Sequence, residues 1–393
     1  MSLSASLRAY FRHAWGNAHV KDMVFVAIVL AVSGLAVLAP TGYERAPDGM
    51  HRARAAILET FDQGIRHYGP VTQGEQYATV RVLAGPFKGL VGEAHNILYG
   101  KTDIDKIFKA GDTALAVIAP GIEGGPADIT LVDHWRLDIQ VWLVCAFLSL
   151  LVLLGGWTGV KSFVSFIFTG TVIWKVLIPA FLSGFPAILS SLAVVALLSF
   201  VIIFLVSGFS RTGLSAFLGS VMGTAISAAL ALALSNPYHL NGSVRSFSET
   251  LKYSGFDHLD LAQIFLAGTF LASSGAFMDL AMDVAASMEE LHLKRPALGF
   301  IELAKSGLNV GRKVIGTMST TLLLAYTGGF TSLLMVFMAQ NVNPLTMFSM
   351  SYVSSEVFHT MVGSLGLVLI APLTALLSAW LLSSQPSQKG YLR

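Results

Sequence analysis

The chain has 393 residues, 54% of them hydrophobic and 12% charged, where an ordinary soluble domain carries roughly 25% charged residues. Its mean hydropathy is +0.67, its formal net charge is +2, and its one cysteine is Cys145. These values exclude a soluble globular enzyme as the starting expectation, together with an intrachain disulfide and a thiolate metal site, and they point to a helical membrane protein.

The first element is the apolar run 23–39, which follows Arg8, Arg12 and Lys21. It exceeds the roughly 7–15 apolar residues of a signal-peptide core, so a retained signal-anchor helix is expected. Apolar runs near the ~20 residues that a bilayer helix needs predict about eight spans, at 23–40, 138–156, 162–182, 186–207, 213–235, 259–285, 313–339 and 357–383. Short loops on one side hold Lys161, Arg211, Lys294, Arg295, Lys305, Arg312 and Lys313, whereas those on the other hold only Arg245 and Lys252. Basic residues mark the cytoplasmic side. The expected organisation is therefore a cytoplasmic segment 1–22, a first helix 23–41, an extracytoplasmic α+β domain 42–137, a bundle of about seven helices 138–383 and a cytoplasmic tail 384–393. The fold class is an all-α polytopic bundle with a small β-barrel-like domain inserted after the first span.

Within the inserted domain, HRARAAILETFDQGIRHYG places Ile57, Leu58, Phe61 and Ile65 at helical spacing and predicts a flanking helix. YATVRVLAGPFKGLVGEAHNIL alternates like two strands around a Gly-Pro-Phe-Lys-Gly turn, and DTALAVIA and DITLV read as two more. The domain is either a packed accessory unit or one that senses a ligand or partner.

In the first half of the bundle, GWTGVKSFVSF (156–166) resembles GFSRTGLSAFL (208–218), suggesting two similar helical hairpins. Gly219 and Gly223 have GxxxG spacing, which reads as close helix packing. Lys175 lies within a span and needs either a carboxylate partner or a route to the interface.

Residues 268–326 carry the candidate site. Asp279 and Asp283 are four apart, hence on one helical face. Two carboxylates sharing a face repel unless a cation or a proton lies between them. An ion pair with Arg312 or Lys313 is the structural alternative. The segment 259–290 would be ~48 Å long as a helix, so a break is expected at Ser274 and Gly275, or a tail running out into water. An amphipathic interfacial helix is expected around FIELAKSG. Beyond it, Asn309, Arg312, Thr317, Thr320 and Tyr326 offer polar groups at membrane depth, with Gly311 and Gly316 as points of close approach or breakage. Near the end, NPLTMFSMSYVSSEVFHT reads as a re-entrant or interfacial segment. In it Glu356 and His359 are three apart, either as a capping pair or as an outer gate, imidazole being suited to carrying a proton near neutral pH. Pro372 is expected to kink the last span.

Three motifs, GAFMDLAMDVAASMEEL, GLNVGRKVIGTMSTTLLLAY and SSEVFHTMVGSLGLVLIAPLTALL, resemble the signatures of the YibE/F-like family of bacterial multi-pass membrane proteins. The resemblance covers about residues 138–383. It carries over onto Gly275, Met278, Asp279, Glu290, Gly311, Arg312, Gly316, Thr317, Met318, Thr321, Tyr326, Glu356, Gly363, Gly366 and Pro372. Asp283 stands where the family usually has a small hydroxyl residue, and Lys313 where it tends to an acid. The resemblance implies architecture and a bacterial inner-membrane location, with no activity attached.

No GxxxxGK[ST] loop occurs, since His95 replaces the first glycine before Gly100-Lys101-Thr102. No GxSxG elbow, metal-binding histidine pair or nucleic-acid patch appears. No cofactor, metal or catalytic residue is expected. The first functional expectation is a permease of a small polar solute coupled to H⁺ or Na⁺, with Asp279 and Asp283 as coupling carboxylates, Asn309 and Arg312 as substrate contacts or counter-charge, and Glu356 with His359 as outer gate. The alternative is a scaffold or sensor whose outer domain binds an envelope partner. Small-residue helix faces permit a homo-oligomer.

Overall fold

The computed structural model describes residues 20–43, 49–119 and 128–383; the basic segment before residue 20 and the tail after 383 lie outside them. The chain forms two compact units, residues 42–150 and residues 1–41 with 151–393.

The smaller unit holds a closed barrel of five strands, β1 (His51–Tyr68), β2 (Val71–Val82), β3 (Val91–Tyr99), β4 (Thr113–Ala119) and β5 (Asp128–His134), in the order β1-β2-β3-β5-β4 with β4 returning to β1. Strands β3 and β5 pair in parallel and all other pairs are antiparallel. The expected helix over 51–69 is instead β1. Its inward residues are Ala53, Ala55 and Ile57, alternating with period two. Leu58 and Phe61, which suggested a helical stripe, are exposed. Bulges after Ile57 and Phe61 let this long strand bend and pair with both neighbours. Gly64 and Gly74 meet backbone to backbone across the β1–β2 pair, where a Cβ on either would collide.

The barrel interior is apolar except for Gln76 and Asn96. The Gln76 side chain donates to Asp62 and to the Phe108 carbonyl, both at 2.8 Å, and accepts from the Phe108 N–H at 3.0 Å. Asn96 donates to the Lys106 carbonyl at 2.7 Å. Buried amides need such partners, and these fasten the 100–112 loop with Phe108 inserted into the core. Asp105 receives N–H groups from Tyr99 and Lys101 at 2.8 and 2.6 Å. Slight desolvation pushes its carboxyl up, but these backbone donors hold it below its usual value.

The larger unit contains α1 (Val20–Leu38), α2 (Leu137–Val172, begun in the smaller unit), a π-helical turn (Ile173–Leu177), α3 (Ile178–Leu182), α4 (Ala187–Ser207), α5 (Arg211–Ser235), α6 (Ser248–Tyr253), α7 (Leu261–Lys294), α8 (Phe300–Gly328), α9 (Thr331–Ala339), α10 (Pro344–Ser349) and α11 (Ser351–Ser383). Six helical stretches, with 137–182 taken as one, are long and apolar enough to cross a bilayer, and the bent pair α8–α9 makes a seventh. The stretch 137–182 is not straight. Gly156 has φ 55° and ψ −130°, and a Cβ at Gly159 would meet the backbone of Leu151 and Val152. Eight residues of straight helix span ~12 Å, so the chain folds back at Gly156. Gly208, at the same place in the second copy of the repeat, has φ 70° and ends α4.

Asp22 and Lys161 form an ion pair at 2.7 Å, with side chains 20% and 9% exposed. Lys175 in the π-helical turn donates to the Ala39 carbonyl at 2.9 Å. Together they run α1 parallel to the segment after Gly156. Glycines close the seams of the core. Gly219 and Gly223 of α5 lie against Thr374 and Ile370 of α11, while Gly307 and Gly311 of α8 lie against Ala375 and Ala371.

Two expectations about helix continuity are corrected. Helix α7 is unbroken through Ser274 and Gly275. The Ser273 and Ser274 hydroxyls return to the carbonyls of Thr269 and Leu271, turning inward on the helix without interrupting it. Helix α8 is likewise unbroken through Gly311 and Gly316, and it absorbs the expected interfacial helix. The break falls later, at Gly329-Phe330, where α8 and α9 bend by 66°. Helix α11 continues through Pro372.

Candidate functional site

Glu356 and His359 share one face of α11, as their spacing predicts, and that face points inward. His359 is 6% exposed and the Glu356 side chain 15%. What neutralises them is Arg245. It follows the short turn Gly242–Val244, which is pressed so tightly on the start of α7 that a Cβ at Gly242 would strike Leu261. From there the guanidinium reaches Glu356 Oε1 at 2.7 Å and His359 Nδ1 at 3.0 Å. It also lies over the Phe265 ring, 5.2 Å from the centroid.

A guanidinium only donates. His359 Nδ1 therefore accepts in this contact, and the proton of the neutral imidazole belongs on Nε2. Among the described residues, Nε2 is buried with no hydrogen-bond partner. The Tyr326 ring lies on the imidazole at 4.2 Å and 30°, and its hydroxyl meets the Ser273 hydroxyl at 3.1 Å. The cluster thus joins α7, α8, α11 and the turn after α5.

Beside it, at the bend Gly329-Phe330, lies a mostly apolar cavity of about 200 Å³, where Leu323, Phe330, Leu334, Phe348 and Met361 surround Tyr326 and Glu356. The arrangement offers a compact guest a mostly apolar recess beside Tyr326 and Glu356.

The other predicted residues are placed elsewhere. Asp279, Asp283, Asn309 and Arg312 are exposed on the outward faces of α7 and α8. No ion pair or hydrogen bond joins them to one another, so the alternative Asp–Arg bridge is not formed within one copy. The Thr317 and Thr320 hydroxyls bond to the carbonyls of Val314 and Gly316. Gly275 and Gly316 face outward with nothing near them. Among the described residues no group of three His, Cys, Asp or Glu side chains stands together as a metal site. Sequence reasoning missed Arg245 and Ser273. A signal for Arg245 was present, because it is one of only two basic residues in the short loops of the side depleted in them.

Comparison with known proteins adds the family. Residues 143–384 match the profile described as YibE/F-like protein, well over half of the chain. The chain belongs to the YibE/F-like family. No curated protein and no solved structure matches it. The buried cluster of this YibE/F-like protein lies wholly inside the matched region, whereas the barrel lies before it.

Proposed function

We propose that this YibE/F-like protein is a proton-coupled permease for a small polar solute in the bacterial inner membrane. Both termini lie on the cytoplasmic side and the barrel outside. The reversal at Gly156 supports counting 137–182 as two spans, eight in all with the bent α8–α9 pair, which agrees with termini on one side.

One observation carries the reading: a buried imidazole that accepts from an arginine while a carboxylate waits nearby. His359 Nδ1 is 3.8 Å from Glu356 Oε2. A proton arriving at Nδ1 ends its role as acceptor from Arg245 and makes it a donor to Glu356. Arg245 is then repelled, and the clamp between the turn after α5 and the mouth of α11 loosens. Ionisable groups at membrane depth are costly unless paired and commonly mark such pathways. Coupling to H⁺ is favoured over Na⁺ because Glu356 is already neutralised by a fixed cation. In proteoliposomes loaded with a pH-sensitive dye, a panel of amino acids, sugars and organic acids is expected to contain at least one solute whose gradient drives proton movement. That movement is lost in His359→Ala and Glu356→Gln. A panel that moves no protons, or movement unchanged in both variants, removes the reading.

A second reading is a sensor, favoured by a groove on the barrel surface. There Arg66, Tyr68, Gln73, Glu75 and Tyr77 surround the side-chain-free Gly64 and Gly74. The Tyr77 hydroxyl donates to Glu75 at 2.6 Å.

A further inference from the structure

The outer surface of the bundle is of two kinds. On α4 and α11 it is what lipid requires: Leu189, Leu197, Leu365, Leu376 and Trp380 project outward. On α7 and on α8 up to Thr320 it is not, whereas farther along α8 Leu323 and Leu324 project outward. The outward stripe of α7 is Gly268, Ala272, Gly275, Asp279, Asp283 and Ala286, recurring every three or four residues. The outward stripe of α8 is Asn309, Arg312, Lys313, Gly316, Thr317 and Thr320. A Cβ added at Gly268, Gly275 or Gly316 would meet nothing within 4 Å. Among the described residues, no ion pair or hydrogen bond engages Asp279, Asp283, Arg312 or Lys313. Two carboxylates and two cations thus stand on outward faces without a partner in their own copy.

The two stripes are complementary. One helix presents acids and the next presents bases, and their heights agree. Gly311 faces Val284, whose Cγ2 would lie 3.7 Å from a Cβ there, which puts Arg312 level with Asp283. A two-fold axis along the membrane normal preserves height, so Asp283 of one copy meets Arg312 of the other, and the reverse holds across the axis. The small residues let the helices approach closely.

We infer that this face is the contact between two copies of the chain, with α7 of each packed on α8 of its partner. The acidic and basic residues that the single chain holds apart come together only across that contact. The inference rests on the complementarity of these two unpartnered faces and not on transport.

Full-length protein carrying one fluorophore, reconstituted at low density in vesicles of phosphatidylethanolamine and phosphatidylglycerol, tests it by counting bleaching steps. Wild type is expected to bleach mainly in two steps. Asp283→Arg and Arg312→Asp each lower the dimer fraction about tenfold, and the double variant restores it. Should the charge variants fail to fold, Gly275→Trp fills open space outside its own copy and separates the partners without touching the chain's own core. Single-step bleaching of wild type, dimers that survive all three single variants, or isolation as a one-to-one complex with a different membrane protein overturns the inference. His359→Ala, expected to abolish proton movement with dimers intact, keeps this outcome distinct from that of the permease proposal.

Discussion

Two groups of charges on the helical bundle are handled differently in this molecule. Arg245, Glu356 and His359 satisfy one another inside a single chain, under a lid of Tyr326 and Phe265. Asp279, Asp283, Arg312 and Lys313 are held on outward faces, unpaired within the copy. The difference teaches that burial of charge and function of charge are separable. The first group is costly to disturb because its partners are local. The second is cheap to disturb for folding and consequential only for what packs against it.

The largest effect is expected where the local pairing is cut. Arg245→Ala leaves Glu356 facing apolar neighbours without its cation. A fully buried pair cut in this way loses roughly 3–5 kcal/mol, and partial exposure of Arg245 reduces this to about 2–3 kcal/mol. Thermal melting in detergent measures it, and adding Glu356→Gln is expected to recover part of the loss. Full stability in Arg245→Ala alone breaks the comparison from the inside.

The next effect contrasts glycines. Gly223→Val drives methyl groups into Ile370 of α11, and overpacking of this kind costs about 1–3 kcal/mol. Gly275→Val meets open space, so the detergent-solubilised monomer is expected to melt within about 0.5 kcal/mol of wild type. Equal losses in both would show that the stripe of α7 is covered by its own chain.

The smallest effect lies in the barrel and concerns pH. Asp105 is held below its usual range by backbone donors, so its contribution is present above the unfolded value near pH ~3.9 and fades as pH falls through the lower folded value. Exchange of the Tyr99 and Lys101 amides is expected to quicken a few-fold in Asp105→Asn at neutral pH, with the difference from wild type closing in strong acid. A difference that persists unchanged there contradicts the assignment.

What was legible in the chain followed from local rules. Continuous apolar runs gave the spans, and alternation around Gly85-Pro-Phe-Lys-Gly89 gave the β2–β3 hairpin. Strand β1 was misread because its inward residues are largely alanines, which suit either period, while Leu58 and Phe61 imitate a helical stripe. The unity of α8 was hidden because its sequence turns from wet to apolar near Arg312, and composition reports the surroundings while the backbone stays helical. The Glu356–His359 pair was visible from its spacing. Arg245 stood out only as a basic residue on the depleted side; its pairing did not, since its partners lie more than a hundred residues away and only folding brings them together.

The pair Asp22–Lys161 carries a consequence for biogenesis. Its partners are 139 residues apart. At a synthesis rate of roughly 5–20 residues per second, the first helix resides in the bilayer for on the order of ten seconds before its lysine emerges. The whole barrel is translated in that interval. The ion pair thus closes late, fastening the first helix to the segment after Gly156 only once the whole barrel between them has been made.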